Sequence, residues 1–565
     1  MKYLVYLSRI VVGSVFVVSG LIKANDTLGF SYKLEEYFLP NALGSFWTMF
    51  YDYSLPLAII VCVAEVVLGL SLIFGTKFKI TVIAITGFLV FFGFLTYYTA
   101  QCDPHAIITY TNSAGEEVTG TPMCVLDCGC FGDALKGSLG RSLTPWESFQ
   151  KDMVLLVFTV FLFFGFKSQS LNNERKDKLL IGGSLAFTAG FSGYVFGWWM
   201  PLSFLAIAAL LYLLIKWFYV KKGREWIILG MLVFISSAFA WYTLNYLPVK
   251  DYRPYAVGNN VTELMKTSDQ YREEYRQVFL NEIMAGYQSD MEADFKQYLE
   301  QDTIYRKGFE SDSAQIEYER SIFEEIKFGY EGMAYEKADS LAVDSMERNN
   351  LLPPMYYSMY YLQNKETKER DYFKSTDYMA NRMWETWEYV YVMVNPKTGE
   401  TQEVAKSEFN EEEWAEKGFE KKSFESVLEK EGYEAKIPAE FNFNDESAND
   451  KIQRSDTYTF LAVCWDLDLT SKKGLQKLNK LNEFATENGY NFIAATSTMS
   501  KVDSVIARNE LTFNFISGDD KVLKTIVRSN PGVIVLKNGT ILGKWGTKTI
   551  PSPKRMSKYL MKLER

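Results

Sequence analysis

The sequence predicts a multi-pass α-helical membrane bundle followed by an extracytoplasmic α+β region that ends in a small α/β domain. Three observations predict it. The 565 residues split by composition: Leu, Ile, Val, Phe, Gly and Trp dominate up to about position 248, whereas 260–450 is rich in Glu, Asp, Lys, Tyr and Asn. The first half contains apolar segments long enough for a bilayer core, and the last 110 or so residues alternate between strand and helix patterns. The near-neutral mean hydropathy therefore averages a membrane half and a soluble half.

Seven segments have the length and apolarity of spans: 4–22, 55–75, 80–100, 152–166 extended back to Trp146, 179–199, 202–219 and 226–246. The fifth is diluted by Gly and Ser. No small-residue cleavage site follows the first, and Lys23 interrupts it, so it reads as an uncleaved helix rather than a signal peptide. Basic residues gather on alternate loops, at Lys77 and Lys79, at Lys167, Arg175, Lys176 and Lys178, and at Lys216, Lys221, Lys222 and Arg224. The positive-inside rule puts these loops and the N-terminus in the cytoplasm. Everything after Tyr246, and the loop between the third and fourth spans, then faces an oxidising compartment, the periplasm if the membrane is a bacterial inner membrane. The net charge of −9 comes mostly from the soluble half and argues against nucleic acid as a partner.

After the last span, Pro248 and Pro254 favour an extended exit. Interleaved charged and apolar residues over 262–349 predict several solvent-washed helices, ended by Pro353-Pro354. Residues 387–394 alternate Tyr and Val as a strand before a turn at 395–399. Further on, 458–465 reads as a strand, 471–488 as an amphipathic helix, 491–496 as a strand, and 532–537 with 540–545 as a hairpin around Asn538-Gly539. That order, with Asn530-Pro531 before a strand, resembles a thioredoxin-like domain, whose corresponding proline is usually cis. The usual Cys-x-x-Cys position holds Asp466-Leu467-Asp468-Leu469-Thr470-Ser471 instead. Cys464 lies within the strand and reads as a small buried hydrophobe.

Four of the six cysteines, Cys102, Cys124, Cys128 and Cys130, fall in the loop 101–145. Thiol exchange needs an accessible thiolate and a nearby second sulfur, and Cys128-Gly129-Cys130 supplies closely spaced sulfurs with a permissive glycine between them. Cys102 and Cys124 could form a second pair that relays electrons between a soluble partner and that pair. Two other readings stand beside exchange: bridges that only staple the loop, and a metal site drawing on His105 with the four cysteines, although Cys-x-Cys is tighter than usual zinc spacing. Within the spans, Arg9, Lys23 and Glu65 are costly charges, and a Glu65–Arg9 ion pair is expected to hold helices together. Cys62 is a packing residue. Thr144-Pro145-Trp146-Glu147 reads as a capped helix start, followed by Lys151-Asp152.

Two stretches carry a resemblance. The run from Arg9 through Gly13 and Gly20 to Lys23, followed by Tyr32 to Phe38, resembles DoxX-like membrane proteins of Bacteroidetes. Cys128-Gly129-Cys130-Phe131-Gly132 with Trp146 and Lys151-Asp152 resembles the methylamine-utilisation protein MauE branch, whose helix arrangement is similar to that of the vitamin K epoxide reductase group. The resemblance covers roughly 1–166. It implies maturation of a disulfide-rich client, with Cys128 and Cys130 matching the MauE motif, and it suggests a quinone as electron acceptor, although the reductase group's Cys-x-x-Cys is missing from the fourth helix.

The expected organisation is a DoxX/MauE-like four-helix membrane domain over 1–166, three further transmembrane helices over 167–248, an acidic helical and mixed region over 249–450, and a thioredoxin-like domain without Cys-x-x-Cys over 451–565. The acidic stretch 262–385 looks like an insertion. The expected function is an inner-membrane thiol-disulfide oxidoreductase or redox maturation factor, its C-terminal domain binding a periplasmic protein client. The alternative is a non-enzymatic membrane scaffold with structural disulfides.

Overall fold

The computed structural model describes residues 2–102, 108–111, 117–125, 129, 131, 134–135, 142–166, 171–219, 223–309, 311–395, 401–421, 425–430, 432–437 and 443–564. The chain forms two compact units, one comprising Met1–Val261 with Phe441–Arg565, the other Thr262–Asn395 with Thr401–Glu440.

The first unit opens with α1 (Lys2–Asn25), α2 (Thr27–Tyr37), α3 (Ser54–Phe74) and α4 (Phe78–Ala100). It continues with α5 (Pro145–Phe163), α6 (Glu174–Thr188), α7 (Met200–Phe218) and α8 (Arg224–Tyr246). The sequence predicts seven spans, whereas five helices among the described residues are long and apolar enough to cross a membrane: α1, the 3₁₀ turn and helix Ser45–Phe74, α4, α7 and α8. The other two segments are helical but more polar. Glu147, Lys151 and Asp152 fill the first half of α5, and five consecutive charged residues open α6 before it runs into a π-helical stretch, Ala189–Val195. The chain is a multi-pass membrane protein.

Small residues set the register of α1 against α3. A Cβ on Gly20 would fall 2.7 Å from Val66 Cγ2, and one on Gly69 would fall 2.6 Å from the Gly13 carbonyl oxygen, so these backbones touch directly, the close approach that small residues permit between membrane helices. Val17, Val18, Leu21, Val66, Leu70 and Ile73 fill the rest of the seam.

In the second unit, α9 (Ser268–Gln301) and α10 (Asp312–Arg348) lie antiparallel, joined by Arg272 to Asp339 near one end and by Phe295 against Phe323 toward the other. A sheet follows, built from β3 (Met355–Asn364), β4 (Arg370–Lys374), β5 (Trp387–Val394), β6 (Thr401–Ala405), β7 (Glu420–Lys421) and β8 (Glu425–Lys430). Its order is β4-β3-β5-β6, with β8 on β3 and β7 on β5. It follows a two-stranded ladder in the first unit, β1 (Ile108–Thr111) with β2 (Glu117–Gly120).

The C-terminal part of the first unit is a five-stranded sheet of β9 (Thr459–Val463), β10 (Asn491–Thr496), β11 (Phe515–Ser517), β12 (Gly532–Lys537) and β13 (Thr540–Gly546), in the order β11-β10-β9-β12-β13. β9, β10 and β11 run parallel, while β12 and β13 are antiparallel to their neighbours. Helix α11 (Lys472–Glu487), capped by Ser471, packs Leu475, Leu478 and Leu481 into the core with Phe460, Val533 and Val535. The Asn530–Pro531 peptide is cis. A Cβ on Gly474 would lie 2.5 Å from the ring of Pro531. The rigid ring has nowhere to retreat, so Gly474→Ala is expected to cost about 1–3 kcal/mol, read as a lowered unfolding midpoint of the sheet domain.

Candidate functional site

Cys102 follows α4 directly, its N–H bonded to the Thr99 carbonyl at 3.2 Å, and it is disulfide-bonded to Cys124 with the two Cα atoms 5.6 Å apart. The β1–β2 hairpin lies between them. Its far side is tied to the bundle where Met123 N–H donates to the Asn41 carbonyl (2.9 Å) and Asn41 donates to the Thr121 carbonyl (3.1 Å). Val125 is buried against Tyr37, Phe38 and Leu95. The bridge closes a sequence separation of 22 residues. Removing it with Cys102→Ser/Cys124→Ser is expected to cost about 3 kcal/mol by the loop-entropy argument, measured as the change in unfolding free energy between oxidised wild type and variant.

Cys128, Cys130 and His105 lie outside the described residues. Gly129, the residue between the two cysteines in sequence, is buried with a φ of +66°. It lines a cavity of about 100 Å³ together with Lys23, Phe30, Lys33 and Phe131. No group of three or more metal-ligating side chains occurs among the described residues.

Inside the bundle the charges pair differently from the sequence expectation. Glu65 is bonded to Lys23 (2.5 Å), not to Arg9. The Ser19 hydroxyl donates to the other Glu65 oxygen (3.2 Å) and accepts from Lys23 (3.1 Å). The register explains the exchange of partners. With Gly20 against Val66, Glu65 stands level with Ser19 and one turn from Lys23, whereas Arg9 lies 14 residues, about 21 Å, farther along α1. Arg9 instead caps α3, donating to the carbonyls of Leu72 (2.9 Å) and Ile73 (3.0 Å) and to Asn172 Oδ1 (2.8 Å).

Helix α5 starts as its sequence predicts: Thr144 Oγ1 accepts from the Glu147 N–H (3.2 Å) and Glu147 accepts from the Thr144 N–H (2.9 Å). That start places Lys151 Nζ 3.0 Å from Asp152 Oδ1 and 5.2 Å from the Phe131 ring centroid. A second cavity, about 30 Å³, sits between α1, α3, α4 and α5 with Ser19, Lys23, Glu65 and Asp152 at its polar end. Lys23 lines both cavities.

The exit segment is held at the same end of the bundle. Asp251 takes a two-point contact from Arg253 (2.8 and 2.9 Å) and one from Lys544 (2.8 Å), while Arg253 also donates to the Thr525 carbonyl (2.9 Å). Arg528 meets both oxygens of Asp26 at 3.0 and 3.1 Å. These contacts tie the membrane helices to the C-terminal sheet. They escape a sequence reading because no local pattern pairs residue 26 with 528; the hints are the cluster Asp251-Tyr252-Arg253 and the pair Lys524 and Arg528 one helical turn apart.

Beyond β9, the turn at 466–471 is closed by Asp466, whose Oδ1 accepts the N–H groups of Asp468 (2.8 Å) and Leu469 (3.2 Å), and by Thr470, which donates to Asn530 Oδ1 (2.9 Å). Cys464 is fully buried, and burial pushes its thiol up, away from the reactive thiolate. Cys62 is buried as well.

Residues 1–105 match the family of the methylamine utilisation protein MauE. The match takes in α1 to α4 and Cys102, covers 105 of 565 residues, and stops short of Cys124, Cys128 and Cys130, whereas the resemblance was expected to extend to about 166. No curated protein and no solved structure matches the chain.

Proposed function

We propose, on the premise of a MauE-type membrane unit at the N-terminus, that the chain is a thiol-disulfide exchanger of a bacterial inner membrane, with its cysteine loop and C-terminal domain in the periplasm. The observation that carries this reading is the Cys102–Cys124 disulfide seated at the end of α4. Cys128 and Cys130 are the reacting pair, and Cys102 with Cys124 is the relay. In one turnover a client dithiol attacks the Cys128–Cys130 bridge through a mixed disulfide; the client gains one S–S bond, the loop pair becomes two thiols, and atoms and electrons balance between them. The second pair accepts those electrons by the same exchange.

The strand order β11-β10-β9-β12-β13 and the cis-proline before β12 support reading the C-terminal domain as thioredoxin-like. Its turn at 466–471 has carboxylates and hydroxyls where exchange would need sulfur, so this domain contributes client binding alone. A quinone is the acceptor the sequence suggests.

The test uses the full chain in lipid nanodiscs with a synthetic two-thiol peptide as probe. Wild type is expected to oxidise the peptide stoichiometrically, losing one protein disulfide for each peptide disulfide formed. Cys128→Ser and Cys130→Ser, which remove the bridge that the peptide attacks, are expected to lose this, while Cys464→Ala retains it. Folded loop variants that oxidise the peptide like wild type would replace the exchanger with a scaffold whose bridges are structural.

A further inference from the structure

Asp152 is 2% exposed, and its Oδ1 is held by Lys151. Its Oδ2 is buried and has no hydrogen-bond partner among the described residues. A buried carboxylate oxygen left bare is expensive, because the desolvated lone pairs recover nothing. This oxygen belongs to a side chain that lines the 30 Å³ cavity, whose other polar groups are Ser19, Lys23, Glu65 and Lys151. One or two water molecules fit there, with enough partners to be held. The remaining wall is Phe88, Leu89 and Phe92 of α4 with Val15, Phe16 and Leu155, so the polar end is closed in by hydrocarbon.

Lys23 faces both this cavity and the larger one lined by Gly129 and Phe131, and its Nζ touches Glu65 at 2.5 Å. It is the side chain shared by the buried carboxylates and the cysteine-loop end. We propose that Asp152 is a proton-loading site inside the bundle, filled from the cysteine-loop end through Lys23. The Lys23 ammonium gives a proton through cavity water to Asp152 Oδ2, and the neutral amine then takes up a proton that arrives from bulk solvent as hydronium through the larger cavity, releasing water there. One proton moves inward and no electron accompanies it. The protonated Asp152 becomes a donor, which satisfies the atom left bare in the charged form.

The groups that set this equilibrium come from every helix around the cavity. α1 supplies Lys23, α3 supplies Glu65, α5 supplies Lys151, and α4 supplies only apolar side chains. Asp26, Asp251, Arg253 and Arg528 lie along the larger cavity at the entry end. The proposal does not depend on the thiol reading, since the proton site exists whether or not the loop cysteines exchange.

The experiment is infrared difference spectroscopy of the full chain in lipid nanodiscs, stepped between acidic and alkaline buffer. A protonated-carboxyl band is expected that shifts when the aspartates carry ¹³C, disappears in Asp152→Asn and moves in frequency in Asp152→Glu. On transfer to heavy water, deuteration of that band is expected to slow tenfold or more in Lys23→Met/Glu65→Gln. The ¹³C measurement needs no variant and stands even if the substitutions fold poorly. Absence of an aspartate band, its survival in folded Asp152→Asn, or unchanged deuteration without Lys23 each overturns the proposal.

Discussion

Lys23→Met is expected to lower the unfolding free energy by about 3–5 kcal/mol, the penalty for removing one partner of a buried ion pair. Both side chains are about 5% exposed, so Glu65 would be left charged among Phe92, Val66 and Ser19 with a single hydroxyl as donor. Ser19 also loses the ammonium that donates to it at 3.1 Å. The double variant Lys23→Met/Glu65→Leu removes both charges while keeping side-chain bulk, and it is expected to recover most of the loss. Denaturant titration of the full chain in detergent, following the bundle's tryptophans, reads both effects. A Lys23→Met protein as stable as wild type would mean that Glu65 finds another partner, and the α1–α3 register argued from Gly20 and Gly69 would be wrong.

Arg253→Met is expected to produce a loss of similar size, about 3 kcal/mol or more, at the joint between exit segment and sheet. Arg253 is nearly fully buried, grips Asp251 with a two-point contact and satisfies the Thr525 carbonyl, so its removal strips Asp251 of its better partner and orphans a backbone acceptor. The pH dependence separates the two cations. Burial alone would raise the Asp251 carboxyl, but Arg253 and Lys544 outweigh it and hold the group far below the usual carboxylate range. That contribution is complete above the unfolded carboxylate value and is lost as pH falls through the depressed folded one. For Lys544, burial outweighs Asp251 and brings the amine down from 10.5 to about 8. Between those values the unfolded chain binds the extra proton, so stability should rise with pH across that window. Lys544→Met is expected to abolish this alkaline rise while leaving the acid limb, measured as unfolding free energy against pH. A variant whose curve still climbs there would place the titration on another group.

Much of the C-terminal sheet is legible in the sequence because each element carries its own signal. Residues 491–496 form β10 as read, Ser471 caps α11, and Asn538-Gly539 turns between β12 and β13. The capping box at Thr144 and Glu147 is legible for the same reason, being encoded within four residues. The second unit's sheet is not: β3 carries Tyr at 356, 357, 360 and 361, so neither face shows clean alternation, and only β5 announces itself.

Among the membrane helices, apolarity reveals a helix without revealing which face meets which. The expected Glu65–Arg9 pair therefore gives way to Glu65–Lys23, because the small residues Gly13, Gly20 and Gly69 fix a register that apolarity does not show. Gly13 and Gly20, seven residues apart on α1, and Gly69 on α3 are the signal that a sequence reading could have used. Contacts such as Asp26 with Arg528 join residues far apart in the chain, and no single-sequence pattern encodes them. For the cysteines, the sequence leaves exchange, staple and metal open; the Cys102–Cys124 bridge resolves one pair, and Cys128 and Cys130 lie outside the described residues.

The redox state of the four loop cysteines tests thiol exchange most directly. Native membranes are acid-quenched, the thiols are differentially alkylated and mapped by peptide mass, and the protein is then titrated against glutathione buffers. Thiol exchange predicts a Cys128–Cys130 bridge that titrates well above about −300 mV, the range of labile disulfides, and that, once reduced, passes its electrons to Cys102–Cys124. Four sulfurs locked in bridges that resist reduction, or withheld from alkylation by a bound metal, would contradict it.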